Sequence, residues 1–423
     1  MLQVYRYLTY FLFPIFIIAI YFRSFINKED RVRYREKIFS SHFKAHTIKK
    51  KKLIWFHAAS IGECLSILAL IEKIDNENKD INFLITTTTL SSSKLLEKKL
   101  KQYNNIIHRF LPLDIERLAE KFLILWNPDL VCFVDSEIWP NFLFKIKEKN
   151  IPLLLINARI TKKSFNRWKV VSNFAKKVFN NFDLCLAANA ESKNNLNKLH
   201  VKNLKYIGNL KYSASKTLEE LDDSNKKILS NFKTWCAVST HNGEELIVLK
   251  THLEIKKKYN NILTIIILRH IDRSSFVENL SNKFHLNTQI LNDNDLIDSN
   301  TEILIINSFG VLSKYFNYCK NIFIGKSLVK KLENVGGQNP IEAAKLGCRI
   351  FHGPYVYNFQ EIYEHLTSVG IAEKVNNELE LAEKITQNFE NQTISTQKQV
   401  SLLDDYGEKI LKETTLEVSG YLK

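Results

Sequence analysis

A pair of glycines separates a short apolar run from a helix start in the second half of the chain. The run 322–324 predicts a short buried strand. Gly336 and Gly337 let the backbone turn sharply and approach a ligand closely. The residues that follow are typical of a capped helix N-terminus: Asn339, Pro340 and Glu342. Free N–H groups there favour an anion such as a nucleotide phosphate, and a capped helix without a ligand is the alternative.

A carboxylate stands on the first turn after another apolar run, in the segment His57-Ala-Ala-Ser60-Ile-Gly62-Glu63. Ser60 and Glu63 fit a capping box, so one interpretation is that Glu63 only holds a helix start. The functional interpretation is a general base, because an acid at a strand end that faces a cleft can take a proton from an attacking hydroxyl. The residues alone leave both open.

Two more polar clusters follow apolar runs in the first half. Asp135, Glu137 and Trp139 lie close together in sequence, and two acids beside an indole suit a sugar or head-group site. A structural turn is the alternative. Arg159, like the basic residues of 162–169, is a candidate to meet phosphate groups, although a run of charge is more often a solvated face.

Polar residues also follow apolar runs in the second half. Arginine and histidine at the ends of strands can offset the negative charge of a phosphate. The alternative interpretation is that they are ordinary charged residues of surface loops. The residues of this set are Ser239, His241, Arg269 and His270. Asn358 opens a turn followed by a helix and is a candidate to lie over the nucleotide.

The elements that must position these side chains alternate strand with helix, which predicts parallel sheets with helices on both faces. Strands are predicted at 53–58, 81–85, 129–134, 152–156, 184–188, 235–238, 263–268, 303–306, 322–324 and 349–351. We interpret this pattern as two Rossmann-like halves that face each other across a cleft, with ligands beyond the carboxyl ends of the strands. The predicted parts, in chain order, are an anchor helix (1–24), a basic connector (25–50), an N-terminal domain (51–212), a linker (213–230) and a C-terminal domain that includes the last helices (231–423).

The composition and net charge of the chain indicate which classes of partner it can bind. A chain of 423 residues with 45% hydrophobic and 25% charged residues is long enough for two globular domains. A net charge of +15 suits nucleic acid, an anionic membrane surface or a phosphorylated substrate. The six cysteines have no C-x-x-C spacing, so buried, reduced thiols are expected.

The N-terminus favours the membrane over nucleic acid. Residues 9–22 form an unbroken apolar and aromatic run, and a full crossing needs about 20 residues. We therefore predict a marginal transmembrane helix, with an interfacial helix as the alternative. The dense basic stretch that follows places the rest of the protein in the cytoplasm and is attracted to anionic lipids. The sequence carries no RNA-binding signature.

Metal-dependent and covalent chemistry are not predicted. The eleven histidines have no pair spacing typical of zinc. The sequence also lacks a Walker A loop and a G-x-S-x-G nucleophile elbow.

Taken in chain order, these motifs resemble those of the Kdo transferases, inner-membrane enzymes that add 3-deoxy-D-manno-oct-2-ulosonic acid (Kdo) to lipid A precursor. Each motif alone is weak, but their common order is specific and covers nearly the whole chain. The matching segments after the anchor are 57–63, 86–89, 137–140, 157–159, 208–211, 239–241, 336–342 and 358–359.

The resemblance implies a two-domain GT-B glycosyltransferase that uses CMP-Kdo as the donor and needs no metal or other cofactor. It implies that Glu63 deprotonates the acceptor hydroxyl for inverting, in-line attack on the anomeric carbon. The implied donor-binding residues are Ser239, His241, Arg269, His270, Gly336, Gly337, Asn339, Glu342 and Asn358. The implied acceptor or cleft residues are Ser60, Gly62, Asp135, Glu137, Trp139 and Arg159.

The resemblance also implies a place in lipopolysaccharide biosynthesis at the inner membrane, with the catalytic domains in the cytoplasm. The implied partners are CMP-Kdo, lipid A precursor (lipid IVA) and anionic lipids, and not nucleic acid. Two alternatives stay open. One is another membrane-associated GT-B transferase with a different sugar nucleotide, and the other is an inactive, basic, membrane-binding relative.

The sequence departs from the usual family pattern at three places. The segment Leu268-Arg-His-Ile-Asp-Arg273 lacks two prolines that are usual there. Asp135 stands where glutamate is usual, which shortens its reach. Val311 stands where the family has an acid.

Overall fold

The chain forms two compact units. The computed structural model describes residues 1–44, 51–215, 220–293, 295–308, 310–391 and 397–422. The first unit comprises Met1–Ser215 and Tyr406–Lys423, and the second comprises Lys216–Asp405.

The first unit is built on a parallel sheet with helices on its faces. Within the described ranges its strands are β1 (Lys52–His57), β2 (Ile81–Thr87), β3 (Ile106–Phe110), β4 (Leu130–Val134), β5 (Leu153–Ala158), β6 (Leu184–Ala187) and β7 (Leu204–Tyr206). They are arranged in the order β3-β2-β1-β4-β5-β6-β7, and all pairs are parallel. β1, β2, β4, β5 and β6 are buried along almost their whole length, as expected when both faces of a parallel sheet are covered.

Four of the helices described in the first unit begin at a side chain that caps them. The helices of this unit are α1 (Leu2–Phe25), α2 (Ile61–Glu77), α3 (Leu90–Lys99), α4 (Glu116–Trp126), α5 (Pro140–Glu148), α6 (Lys162–Val170), α7 (Ser172–Phe179) and α8 (Ala190–Lys198). Ser60, Thr89, Thr161 and Asn189 each accept a hydrogen bond from a backbone N–H in the first turn of α2, α3, α6 and α8.

An aromatic cluster fixes β1 and β4 against the helices beside them. The Trp55 ring centroid lies 5.0 Å from that of Phe122, 5.6 Å from that of Phe133 and 5.7 Å from that of Phe142. All four side chains are buried. Tilted and edge-on aromatic contacts of this kind add to the stabilisation from area burial, so the ends of β1 and β4 are held rigidly.

The second unit repeats the architecture. Within the described ranges its strands are β8 (Lys233–Thr240), β9 (Ile262–Leu268), β10 (Thr288–Leu291), β11 (Ile303–Ile306), β12 (Asn321–Ile324), β13 (Arg349–His352) and β14 (Ala372–Lys374). They are parallel and lie in the order β10-β11-β9-β8-β12-β13-β14. Its helices are α9 (Asp223–Leu229), α10 (Glu244–Lys256), α11 (Ser274–Asn282), α12 (Leu312–Phe316), α13 (Ile341–Lys345), α14 (Gln360–Ser368) and α15 (Glu378–Glu390). A further helix, α16 (Gln397–Ser419), begins in this unit and continues into the first.

All ten predicted strands are present, with ends shifted by at most two residues. Buried free thiols were expected, and the six cysteines are all buried and unpaired with one another. The N-terminal apolar helix is present as α1, and it is long and apolar enough to cross a bilayer by length and composition.

The chain divides differently from the predicted boundaries at two places. The segment from Tyr406 onward was assigned to the second domain but belongs to the first unit, where Gly407 packs so closely on Tyr212 that a Cβ would lie 2.3 Å from the Tyr212 carbonyl oxygen. The predicted linker, 213–230, contains α9. Its residues 216–219, and residues 45–50 of the predicted connector, lie outside the described ranges.

Candidate active site

The predicted acidic residues of the first half lie where the strand order of the first sheet changes direction. β1 pairs with β2 on one side and with β4 on the other, so the loops that leave β1 and β4 diverge. In open α/β sheets this switch point is the usual place for a ligand. Glu63 follows β1, and Asp135 and Glu137 follow β4.

Glu63 makes the capping interactions that the sequence predicted. Its Oε1 accepts the Ser60 hydroxyl at 2.6 Å, and its Oε2 accepts the Ala59 N–H at 2.8 Å. Ser60 Oγ in turn accepts the Glu63 N–H at 3.3 Å. A carboxylate can accept about four hydrogen bonds, so these contacts orient Glu63 and still leave lone pairs for a substrate hydroxyl.

The surroundings of Glu63 make it a stronger base than an exposed glutamate. Its side chain is buried, and burial raises its pKa; the negative charge of Asp135 raises it further. The Ser60 hydrogen bond, the Lys211 charge and the Ala59 N–H act in the opposite direction without cancelling the rise. A carboxyl pKa raised toward neutrality is typical of a general base.

Asp135 is held by a lysine that was not among the predicted site residues. Lys211 Nζ lies 2.9 Å from Asp135 Oδ2, and both side chains are largely buried. Asp135 has φ 59°, an uncommon left-handed conformation, and its carbonyl accepts the Arg159 N–H at 3.1 Å. Asn157 Oδ1 accepts the Leu210 N–H at 2.8 Å and so places the residue before Lys211.

Glu137 is tied to the wall of the same site. Its Oε2 accepts the Trp139 indole N–H at 2.9 Å and lies 3.2 Å from Nε2 of the buried His57. Burial would raise the pKa of Glu137, but the contacts with His57 and Trp139 together outweigh burial and lower it. Glu137 therefore stays ionised and orients both rings, which makes it a poor proton acceptor.

In the second unit, one buried carboxylate joins the ends of two neighbouring strands. Glu244, on the first turn of α10, accepts the N–H of His241 at 2.9 Å and of Lys326 at 2.6 Å through Oε2. Its Oε1 accepts the N–H groups of Ser327 at 2.8 Å and Leu328 at 3.0 Å. Glu244 thus fixes the turn after β8 against the turn after β12.

The glycine pair lies in a crowded backbone environment. A Cβ on Gly336 would come within 2.1 Å of the Tyr355 carbonyl oxygen, and Gly337 has φ 94°. Asn358 Nδ2 donates to the Val335 carbonyl at 2.7 Å, and the Asn358 N–H donates to the Gly336 carbonyl at 2.9 Å. The structure therefore brings together Gly336, Gly337 and Asn358, three of the residues that were predicted to bind the donor.

The helix after the glycines differs from its prediction. It begins at Ile341 with Pro340 as the N-cap, since the Pro340 carbonyl accepts the Ala344 N–H at 3.0 Å. Asn339, predicted as the N-cap, instead accepts the Ile341 N–H at 3.2 Å through Oδ1. Glu342 lies in the first turn.

Two histidines and an arginine follow β8 and β9. The His241 and His270 ring centroids are 5.9 Å apart, and the side chains of Arg269 and His270 are exposed. Burial lowers the pKa of His241, whose Nδ1–H donates to the Ser239 carbonyl at 3.0 Å. The neutral ring therefore offers Nε2 as an acceptor. Ser239 has φ 56°.

Within the described ranges, no three His, Cys, Asp or Glu side chains are grouped as a metal site requires. The first unit holds an oriented, buried carboxylate, and the second unit holds polar loops beside a glycine pair.

Comparisons with known proteins identify the family. Residues 32–214 match the family model described as 3-deoxy-D-manno-octulosonic-acid transferase (kdotransferase). A 3-deoxy-D-manno-octulosonic acid transferase of Rickettsia bellii is 32% identical over 84% of this chain and 82% of its own length. The chain belongs to this Kdo transferase family. A relative of the same name from Haemophilus influenzae is 27% identical over 85% of this chain and 83% of its own length.

Membership of the Kdo transferase family makes the chain an enzyme, a glycosyltransferase. Among solved structures, a UDP-GlcNAc 2-epimerase of Neisseria meningitidis superposes with a TM-score of 0.58 at 16% identity, over 87% of this chain and 99% of that one. At that identity the likeness concerns the fold alone. The predicted fold class, GT-B with two Rossmann-like domains and an N-terminal apolar helix, is confirmed.

Two residues of the candidate site were not predicted from the sequence. Lys211 was included only as the last residue of the matching segment 208–211, and Glu244 lies outside all the matching segments. A turn before Lys211 could have been predicted from two sequence features, namely Gly208 and Asn209. Nothing in the sequence predicts that Glu244 reaches a turn about 80 residues away.

Proposed function

We propose that this enzyme transfers Kdo from CMP-Kdo to lipid A precursor (lipid IVA) during lipopolysaccharide biosynthesis, at the cytoplasmic face of the inner membrane. The family description and the names of the relatives support Kdo transfer. The net charge of +15 supports substrates and a surface that are anionic. The apolar helix α1 supports a membrane location.

The observation that carries the proposed mechanism is the environment of Glu63. This carboxylate is buried at the switch point of the first sheet, is oriented by Ser60 and Ala59, and has a raised pKa. In the proposed step, Glu63 takes the proton of an acceptor sugar hydroxyl. The hydroxyl oxygen forms a bond to the anomeric carbon of Kdo from the side opposite CMP, and the bond from that carbon to the phosphate oxygen breaks. CMP leaves with the electron pair, and the configuration at the anomeric carbon inverts.

The proposed donor site uses the polar loops of the second unit. Arg269 supplies positive charge for the phosphate or the Kdo carboxylate, whereas His241 accepts a hydroxyl or amino hydrogen at Nε2. Gly336 and Gly337 allow close approach of the backbone to the nucleotide. The remaining proposed donor-binding residues are Ser239, His270, Asn339, Glu342 and Asn358.

The proposed acceptor site uses the residues around Glu63. Trp139 offers an aromatic face and Arg159 a positive charge for a phosphorylated sugar, while Gly62 leaves space at the helix start. Asp135 acts on the reaction through the pKa of Glu63. We propose that transfer requires no metal, so incubation with EDTA should leave the rate unchanged.

The test is transfer from CMP-Kdo, generated in situ, to tetraacylated lipid A precursor, with products measured by mass spectrometry. A product heavier by one or more Kdo units from the wild-type enzyme, and none from Glu63→Gln, supports the proposal. Full turnover by Glu63→Gln refutes the assigned base. No product from folded wild-type enzyme, beside an active control enzyme, refutes the substrate assignment.

A further inference from the structure

Helix α1 is attached to the first unit by polar contacts near its N-terminus. The Tyr5 hydroxyl donates to Asp114 Oδ2 at 2.7 Å, and Arg6 pairs with Glu116 at 3.0 Å. These contacts join α1 to residues more than 100 positions away in the sequence. Asn141, at the start of α5, donates to Thr9 Oγ1 at 3.4 Å.

Apolar contacts continue along the same face to the C-terminal part of α1. Phe13 and Ile17 pack against a cluster that includes Ile20 and the buried Ile38. The Tyr21 ring meets the Tyr34 ring edge-on at 5.7 Å. The helix therefore lies against the protein along most of its length, which is about 36 Å for 24 residues.

The opposite face of α1 is apolar and exposed. Its residues recur every three or four positions and so form one continuous stripe. The stripe consists of Val4, Leu8, Phe11, Ile15, Ile18, Phe22 and Phe25, each more than half exposed. A stripe of this length on a soluble surface would be unfavourable without an apolar partner.

Positive charge adjoins both ends of the stripe. At the C-terminal end lie three basic residues with exposed side chains, Arg23, Lys28 and Arg31. At the N-terminal end, Tyr5 contacts Phe174 of α7 with ring centroids 6.4 Å apart. α6 and α7 carry Lys162, Lys163, Arg167, Lys169, Lys176 and Lys177, all exposed, and no acidic residue.

We infer that α1 lies in the plane of a membrane surface that contains anionic lipids, with the 4–25 stripe in the apolar region and the flanking basic residues at the phosphates. A helix that crossed the bilayer would place Arg6 and Thr9 at membrane depths about 24 Å or more from that of Phe25, and so would separate them from Glu116 and Asn141. The inference concerns how the protein meets a bilayer, and it relies on the proposed function only for the presence of that bilayer.

The depth of three stripe positions distinguishes the two orientations. Nitroxide labels are placed at Leu8→Cys, Ile15→Cys and Phe22→Cys in the full chain, whose own cysteines are buried. The protein is bound to vesicles of phosphatidylethanolamine with phosphatidylglycerol, and depth is read from collisions with oxygen and with a polar nickel complex. Similar, shallow depths at all three positions are expected. A maximum at Ile15 with shallow ends, or full water exposure of all three, overturns the inference.

Vesicle flotation supplies an independent test that involves no transfer reaction. Phe11→Glu with Ile18→Glu should reduce binding at least tenfold, because two charges enter the apolar region. Leu379→Glu, the same chemical change at an exposed leucine of the second unit, should bind like wild type. Binding should weaken several-fold on neutral phosphatidylcholine vesicles. Equal binding by the stripe variant and by Leu379→Glu refutes the inference while leaving the proposed function untouched.

Discussion

Lys211 Nζ lies 2.9 Å from Asp135 Oδ2, in a pair that is almost wholly buried beside Glu63. The two partners act on Glu63 in opposite directions, since Asp135 raises its pKa and Lys211 lowers it. Burial is the main cause of the raised pKa of Glu63, and the pair adjusts the basicity of this carboxylate, to which we assign proton abstraction. The short aspartate side chain is sufficient here, because Lys211 lies within its reach.

Substitutions in this pair should shift the pH dependence of transfer in opposite directions. Activity requires ionised Glu63, so kcat/KM falls as pH drops through the raised pKa of that group. Asp135→Asn removes the charge that raises this pKa, so the acid limb should move to lower pH. Lys211→Met should move it to higher pH. Rate profiles from pH 4.5 to 8 measure the shift, and movement of both variants in the same direction contradicts the assignment.

Glu63→Gln should separate catalysis from helix capping. We expect kcat/KM to fall about 100-fold or more, with little change in the unfolding midpoint, because the amide oxygen can still accept a hydrogen bond. Asn189→Ala, which removes the N-cap of α8 in the same unit, should cost about 1 kcal/mol of stability and leave transfer intact. If Glu63→Gln lost stability but kept its rate of transfer, Glu63 would be a helix cap and not the catalytic base.

Glu244→Ala should destabilise the second unit, because Glu244 holds the loops after β8 and β12 together. Four backbone N–H groups lose their acceptor, so a loss of at least about 3 kcal/mol in the free energy of unfolding is expected, together with a higher KM for the donor. Urea denaturation and donor titration measure the two effects. Glu383→Ala, on the exposed face of α15, is the control and should resemble wild type. Unchanged donor KM in a folded Glu244→Ala protein would exclude a role in shaping the donor loops.

Two glycine substitutions should differ sharply. Gly336→Ala places a Cβ 2.1 Å from the Tyr355 carbonyl oxygen, so the loop must shift and donor binding should be lost. Gly62→Ala meets nothing closer than Lys211 Cε at 3.8 Å and should increase helix stability by up to about 1 kcal/mol. Thermal unfolding and donor affinity distinguish them, and normal donor binding by Gly336→Ala would remove that loop from the donor site.

His108 should make the first unit sensitive to acid. Burial, with Arg33 and Arg109 nearby, lowers the pKa of His108 from 6.5 to about 3. The unfolded chain takes up the proton near pH 6.5 while the folded protein does not, so stability falls as pH drops below 6.5. At pH 5 this group should cost about 2 kcal/mol. Urea titrations at pH 7.5 and 5 should show that cost in wild type and its absence in His108→Gln. An identical pH effect in both proteins contradicts this account.

The central strands of both sheets were predictable from sequence, whereas all four edge strands were missed. β3, β7, β10 and β14 lie at the margins of their sheets and are only partly buried. An edge strand needs no continuous apolar run, so the pattern that predicts a buried strand fails there. The same division applies to the candidate site, because the site residues that directly follow a strand were predicted from the sequence. Lys211 and Glu244 act over long sequence separations that only the fold defines.

The contacts of α1 have a consequence for the order of events during synthesis. Asn141 follows Thr9 by 132 residues, and at about 5–20 residues per second the ribosome needs on the order of 10 s to supply it. During that interval the apolar helix has emerged, but the part of its packing surface that includes Asp114, Glu116 and Asn141 is not yet complete. A bilayer or a chaperone must therefore shield the helix before the domain that later holds it is complete.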